Sequence, residues 1–264
     1  MITRKYSTSF SLGISFLAKK FQGPVFSIYG FVRLADEIVD SFHGYDKEHL
    51  LVEFKDSTQD AISKKISINP VFNSFQEVVH RYQIEPELIE QFLNSMSMDL
   101  TTAEHTQETY DTYILGSAEV VGLMCLRVFT EGNSSLYAEL KPYAMKLGSV
   151  FQKVNFLRDI RTDYEQLGRT YFPGIDLGNF TVEDKSRIEE EIEAEFAESL
   201  EGIKRLPPGA RSGVYLAYVY YKKLFNKIKR VPADHVLKER VRISNGRKFG
   251  LMINSMVRHR FNVW

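Results

Sequence analysis

The chain has 264 residues, 44% hydrophobic and 26% charged, an ordinary soluble composition that can bury a sizeable core without covalent staples. Its 34 Lys and Arg balance 34 Asp and Glu, so the formal charge is zero and the basic excess that usually accompanies a nucleic-acid partner is missing. One cysteine, Cys125, excludes an intrachain disulfide framework and a clustered cysteine metal site, and its apolar surroundings at 120–128 point to a buried thiol.

Residues 1–6 are short and polar, with no apolar secretory core behind them. No uninterrupted apolar run approaches the roughly 18 residues of a membrane span. A cytoplasmic chain is expected, with peripheral contact to membrane lipid left open.

Helical periodicity runs through almost the whole length. Residues 24–42 place Val25, Ile28, Phe31, Val32, Ala35, Ile38 and Val39 at helical spacing, and Gly23-Pro24 can open that helix because proline is tolerated in a first turn. Amphipathic stretches follow at 48–66 and 72–82, divided near Asn69-Pro70. Residues 86–100 begin on proline and repeat Leu88, Phe92, Leu93 and Met96. The stretch 109–129 is apolar and rich in small residues (Gly116, Ser117, Ala118, Gly122), which suits a central helix or one lining a cavity. Residues 140–167 form the next long helix, with Gly168 as its stop, and Pro173, Gly174 and Gly178 mark 168–180 as a loop. Helices at 184–203, 213–229 and 237–260 complete the chain. Strand alternation is almost absent, and neither a repeat nor a long linker divides the sequence, so the expectation is one all-helical domain over 1–264.

Two of these helices carry paired carboxylates. On a helix, positions i and i+4 share a face, so Asp36 and Asp40 point the same way, with Arg33 and Tyr29 upstream on the same stripe. One such pair alone reads more readily as an acidic surface. The second stripe is longer: Gln152, Asn155, Asp159 and Asp163 recur at steps of three, four and four, a ladder about 17 Å long at 1.5 Å per residue. Val154, Phe156, Leu157 and Ile160 fill the remaining faces, so the stripe needs partners. Oxygen donors without histidine favour magnesium over softer metals. Magnesium held by few carboxylates shares its shell with substrate phosphates, whose other oxygens Arg33, Arg158 and Arg169 can neutralise. The chemistry implied is ionisation of a diphosphate. A di-iron carboxylate bundle is the alternative, but it wants Glu-x-x-His on two helices, which this chain lacks. His43, His49 and His80 are isolated.

With Ser9-Phe10, residues 29–40, 113–122 and 152–163, the run Gly168-Arg169-Thr170-Tyr171-Phe172-Pro173 and the region of Tyr221 all in order, the chain resembles the squalene/phytoene synthase family. These are head-to-head prenyl synthases of the isoprenoid synthase fold, and the likeness is greatest to bacterial carotenoid-pathway phytoene synthases. The resemblance implies that Asp36, Asp40, Asn155, Asp159 and Asp163 hold magnesium, with manganese as a substitute, against two allylic diphosphates. It implies catalytic roles for Asp36, Asp40, Asp159, Asp163, Arg33 and Tyr29. Substrate contacts fall to Ser9, Phe10, Arg33, Tyr113, Gln152, Asn155, Arg158, Arg169, Tyr171 and Tyr221, the last uncertain by one position because Tyr220 is adjacent. The implied reaction joins two geranylgeranyl diphosphates through a cyclopropyl intermediate to phytoene, and NADPH is not expected. Squalene or dehydrosqualene synthesis from farnesyl diphosphate is the alternative, since chamber depth depends on side chains that sequence does not place.

Two positions depart from the family pattern. Glu37 stands where many relatives repeat Asp, with little effect on metal binding expected because Asp36 and Asp40 keep their spacing. Tyr6 replaces a histidine found in some relatives, and the chain begins close to Ser9-Phe10, so little structure is expected before that pair.

Other features are read more plainly. The stripe Tyr110, Tyr113, Ser117, Val120 and Met124 is expected to face a hydrocarbon tunnel, given the small residues beside it. The acidic run Glu189, Glu190, Glu191, Glu193, Glu195 and Glu198 reads as a solvated helix face. The basic end, with Lys238, Arg240, Arg242, Arg247, Lys248, Arg258 and Arg260, reads as a solvated terminus or a contact for anionic lipid. A non-catalytic helical scaffold is the competing class, disfavoured because a scaffold has no use for so much charge on apolar helices.

Overall fold

A computed structural model describes residues 13–237 and Val241. Among these residues the architecture is helical: α1 (Lys19–Ser41), α2 (Lys47–Lys64), α3 (Pro70–Tyr82), α4 (Pro86–Thr101), α5 (Gln107–Ile114), α6 (Val120–Thr130), α7 (Ser134–Leu167), α8 (Val182–Arg205), α9 (Pro208–Lys229) and the short α10 (Ala233–Val236). A π turn, Leu115–Glu119, joins α5 to α6. No strand occurs among the described residues, and one isolated parallel bridge links Glu104 to Thr170. The expected helix at 237–260, its basic side chains, and Tyr6, Ser9 and Phe10 lie outside the described residues.

Half of the helix starts follow from side-chain capping chemistry. Asp46, Asn69, Thr106, Asn133 and Thr181 each place a side-chain oxygen on an otherwise orphaned amide of the first turn. Thr181 and Asp184 complete a reciprocal capping box. Three helices begin five or more residues before their expected starts: α1 at Lys19, α7 at Ser134 and α9 at Pro208, which puts Pro24 and Pro142 inside helices.

Two apolar clusters form the core. In the first, Phe31 of α1 stacks on Phe75 of α3, centroids 3.8 Å apart, with Phe54 and Phe92 at 5.1 and 5.6 Å. The second gathers α7, α8 and α9 around Phe196 and Phe225. Between them runs the stretch from α5 to α6, packed on α4 and α7. Glycines make that approach close. A Cβ on Gly116 would lie 2.6 Å from the Gln91 carbonyl oxygen, and one on Gly148 would lie 2.5 Å from the Ala118 carbonyl oxygen.

One expectation is qualified here and one is corrected. By length and composition Gln107–Thr130 is apolar enough to cross a membrane, which counting uninterrupted apolar residues had not indicated; in the fold half of its apolar window is buried inside the bundle. The acidic run on α8 is not wholly a solvated face either. Glu195 is buried against α7, accepting from Lys153 Nζ at 2.9 Å, Ser149 Oγ at 2.8 Å and Lys146 Nζ at 3.2 Å, because buried Lys153 needs an opposite charge. Glu191 also pairs with Lys153.

Candidate active site

Both carboxylate stripes line one cavity of about 720 Å³. α1 contributes Tyr29, Arg33, Asp36 and Asp40, and α7 contributes Gln152, Asn155, Arg158, Asp159 and Asp163. Tyr113 of α5, Tyr221 of α9, and Arg169 and Tyr171 of the loop after α7 line it too. Thus each sequence-proposed site residue within the described region reaches the same chamber. The charged residues gather at one end. Apolar side chains from α1, α6, α7, α8 and α9 enclose the other.

The arginines at the charged end are paired. Arg33 hydrogen-bonds Glu37 one turn on and lies 3.9 Å from Asp36. Arg158 grips Asp159 with both Nε, at 2.9 Å, and Nη2. Arg169, buried at its side chain, donates from Nη1 to Asp40 Oδ1 at 2.9 Å and to the Tyr171 hydroxyl at 3.3 Å, and sits 3.3 Å from Asp99. Asp99, at the end of α4, accepts from the hydroxyls of Tyr113 at 2.8 Å and Tyr171 at 3.0 Å. The loop holding Arg169 and Tyr171 is strapped to the end of α4: Thr170 N donates to Ala103 O at 2.8 Å, and Tyr171 stacks on Phe156 with centroids 3.9 Å apart.

This density of charge raises carboxyl pKa values. Burial, then repulsion from Asp40, pushes Asp36 up to about 7 against the opposing pull of Arg33. Burial, then Asp159 and Asp40, pushes Asp163 up to about 7 as well. Asp99 rises to about 6 through burial, with Arg169 and Tyr113 holding it back. Asp163 and Asp40 come from opposite walls, so their repulsion marks the two stripes as neighbours across the chamber.

A sequence profile described as squalene/phytoene synthase matches residues 3–247. The chain belongs to the squalene/phytoene synthase family. It is 24% identical to a phytoene synthase of Arthrospira platensis over 88% of this chain and 83% of that protein. It is 23% identical to a 4,4'-diapophytoene synthase of Staphylococcus haemolyticus over 96% of this chain and 93% of the relative. A crystal structure of a dehydrosqualene synthase in complex with ligand superposes with a TM-score of 0.84 at 23% identity, covering 98% of this chain and 94% of that one. The fold is therefore that of the head-to-head prenyl synthases.

Two readings of this synthase's chamber change with the structure. Of the stripe Tyr110, Tyr113, Ser117, Val120 and Met124, only Tyr113 and Ser117 line the chamber; the others are packed into the core. The wall instead follows Tyr113, Ser117, Val121, Cys125 and Phe129, at steps of four. The reason is the π turn, which inserts extra backbone per turn and carries the chamber face one residue beyond the α-helical register. Cys125 therefore borders the chamber, and burial pushes its thiol up to about 12. Of Tyr220 and Tyr221, it is Tyr221 that lines the chamber; it stacks on Phe151 at 4.1 Å and donates to Asn155 Oδ1 at 3.3 Å.

Asp99 escaped sequence reasoning. Its signal was a lone carboxylate between Met98 and Leu100 on an apolar helix, a position that reads as the helix simply running out into solvent. Glu37, the departure from the family pattern, turns out to be the partner of Arg33 and does not line the chamber.

Proposed function

We propose that this synthase joins two geranylgeranyl diphosphates head to head into phytoene. In the overall balance two allylic diphosphates give one hydrocarbon, two diphosphates and two protons. The first C–O bond breaks with its electron pair leaving on the diphosphate, and the allylic cation alkylates the double bond of the second substrate. Loss of a proton closes the cyclopropane. Loss of the second diphosphate then permits rearrangement, and loss of a second proton forms the central double bond.

The observation that carries this reading is the polarity of the chamber: five aspartates and three arginines at one end, hydrocarbon-lined walls beyond. Arg33, Arg158 and Arg169 supply donors for phosphate oxygens and would stabilise the departing diphosphates. The apolar walls exclude water that would otherwise quench a carbocation. Asp36, Asp40, Asn155, Asp159 and Asp163 offer oxygen donors alone, a set that fits magnesium or manganese. Among the described residues no three acidic, histidine or cysteine side chains cluster closely enough to hold a metal. Donors spread over two helices would leave a bound cation to complete its shell with substrate phosphates. When bound, such a cation supplies charge neutralisation for the leaving group. NADPH is not required for a phytoene product.

The 4,4'-diapophytoene synthase relative supports a second reading in which farnesyl diphosphate is the substrate. Incubating the pure protein with C15 or C20 diphosphate and magnesium, with and without NADPH, separates the two. Phytoene from C20 without NADPH is the expected result; a C30 hydrocarbon as dominant product would sink it.

A further inference from the structure

The hydrocarbon end of the chamber is closed by side chains of two kinds. Phe129, Leu140, Ile203 and Leu206 are buried, so more protein lies behind them. Tyr143 also lines the chamber, and its ring lies under the exposed Arg205 side chain, so it stands between the chamber and solvent. We infer that Tyr143 is the end stop that sets the longest prenyl tail this synthase accepts; the inference rests on the prenyl-diphosphate reading above.

Three features hold the ring in place. Gly202 of α8 provides the notch in which it starts: a Cβ there would fall 2.2 Å from Tyr143 Cβ and 2.8 Å from Cγ. The backbone just after Tyr143 is pinned from the other side, since a Cβ on Gly122 would lie 2.9 Å from the Ala144 carbonyl oxygen. The Arg205 guanidinium lies 5.2 Å from the ring centroid and is itself paired with Glu139 at 3.5 Å. A ring wedged between two glycine-close helices and covered by a guanidinium does not swing aside for a longer chain. Sixteen residues of α7 separate Tyr143 from Asp159, about 24 Å at 1.5 Å per residue, so the stop lies far from the carboxylates and acts on the tail alone.

The distinction between the two kinds of lining gives the assignment its content. Truncating Leu140 or Phe129 deepens the chamber only as far as the protein packed behind them, whereas truncating Tyr143 opens it outward beneath Arg205 and lets a further isoprene unit project. Removing apolar bulk that a ligand meets changes discrimination between homologues by about tenfold or more.

The test compares kcat/KM for C15, C20 and C25 prenyl diphosphates in wild type, Tyr143→Ala, Tyr143→Leu and Tyr143→Phe. Alanine and leucine are expected to raise the C25 to C20 ratio, alanine by about tenfold or more, while phenylalanine keeps the ring and stays within about twofold of wild type. The leucine variant preserves apolar volume should alanine fail to fold. Folded, active alanine and leucine variants with an unchanged ratio would overturn the inference. If wild type condenses none of the three substrates, the proposed function fails instead, and calorimetric affinities for thio-diphosphate analogues of the three lengths still decide the role of Tyr143: a C25 to C20 affinity ratio raised by alanine supports it, and an unchanged ratio refutes it.

Discussion

Asp36 and Asp163 each titrate near 7 in the folded chain, against about 4 for an aspartate in an unfolded one. Between those values the folded protein holds more protons than the unfolded chain, so stability falls as pH rises through that window. An asparagine at position 36 cannot ionise and would remove both the buried charge and its repulsion of Asp40. Asp36→Asn is therefore expected to match wild type in thermal unfolding near pH 3, below both values, and to exceed it at pH 8, both without ligand. Identical pH slopes for the two proteins would show that Asp36 ionises as readily as an exposed carboxylate. The same substitution is expected to lose turnover, because the charge that destabilises the fold is the charge proposed to hold the cation. Asp99 differs in kind: its two phenol donors and Arg169 hold a carboxylate deep in the wall, where it orients Arg169 between itself and Asp40.

At the scale of elements, the central stretch from α5 to α6 is positioned by glycines rather than by large side chains. Gly148→Ala would bring a methyl group to 2.5 Å of the Ala118 carbonyl oxygen, a backbone atom of the π turn that cannot yield cheaply. A loss of about 1–3 kcal/mol is expected, typical of an overpacked core, and denaturant unfolding measures it. A neutral effect would mean that α7 can shift away from the turn. Spacing exposed α1 and α7 in the sequence because carboxylates four apart on apolar helices are conspicuous wherever they occur. The small residues of 109–129 announced a close-packed helix for the same reason. The π turn was not legible, since contacts with α4 and α7 impose it and no residue type encodes it. Its consequence was a wall misread beyond Ser117, with Val121 and Cys125 on the face assigned to Val120 and Met124. Asp99 was hidden for the opposite reason: one carboxylate near a helix end has no period to give it away, and its partners come from 14 and 72 residues distant.

Across the molecule, the chamber's arginines rest on acidic groups: Arg158 on Asp159 and Arg169 on Asp40 inside it, and Arg33 on Glu37 beside it. A diphosphate alone must compete with those carboxylates, and a cation alone must compete with the arginines. Together they satisfy both sets, the cation taking carboxylate oxygens and the phosphates taking guanidinium donors. Magnesium and a non-ionising diphosphate analogue are therefore expected to raise the melting temperature by more than the sum of their separate effects, by ligand linkage. Strictly additive shifts in differential scanning calorimetry would contradict this exchange. The strap between Ala103 and Thr170 has a related consequence. Its single backbone bond joins the α4 end carrying Asp99 to the loop carrying Arg169 and Tyr171, elements far apart in the chain. The Thr170 amide is thereby a native reporter: deuterium enters it when that junction parts, so its exchange rate clocks the opening of the charged end of the chamber.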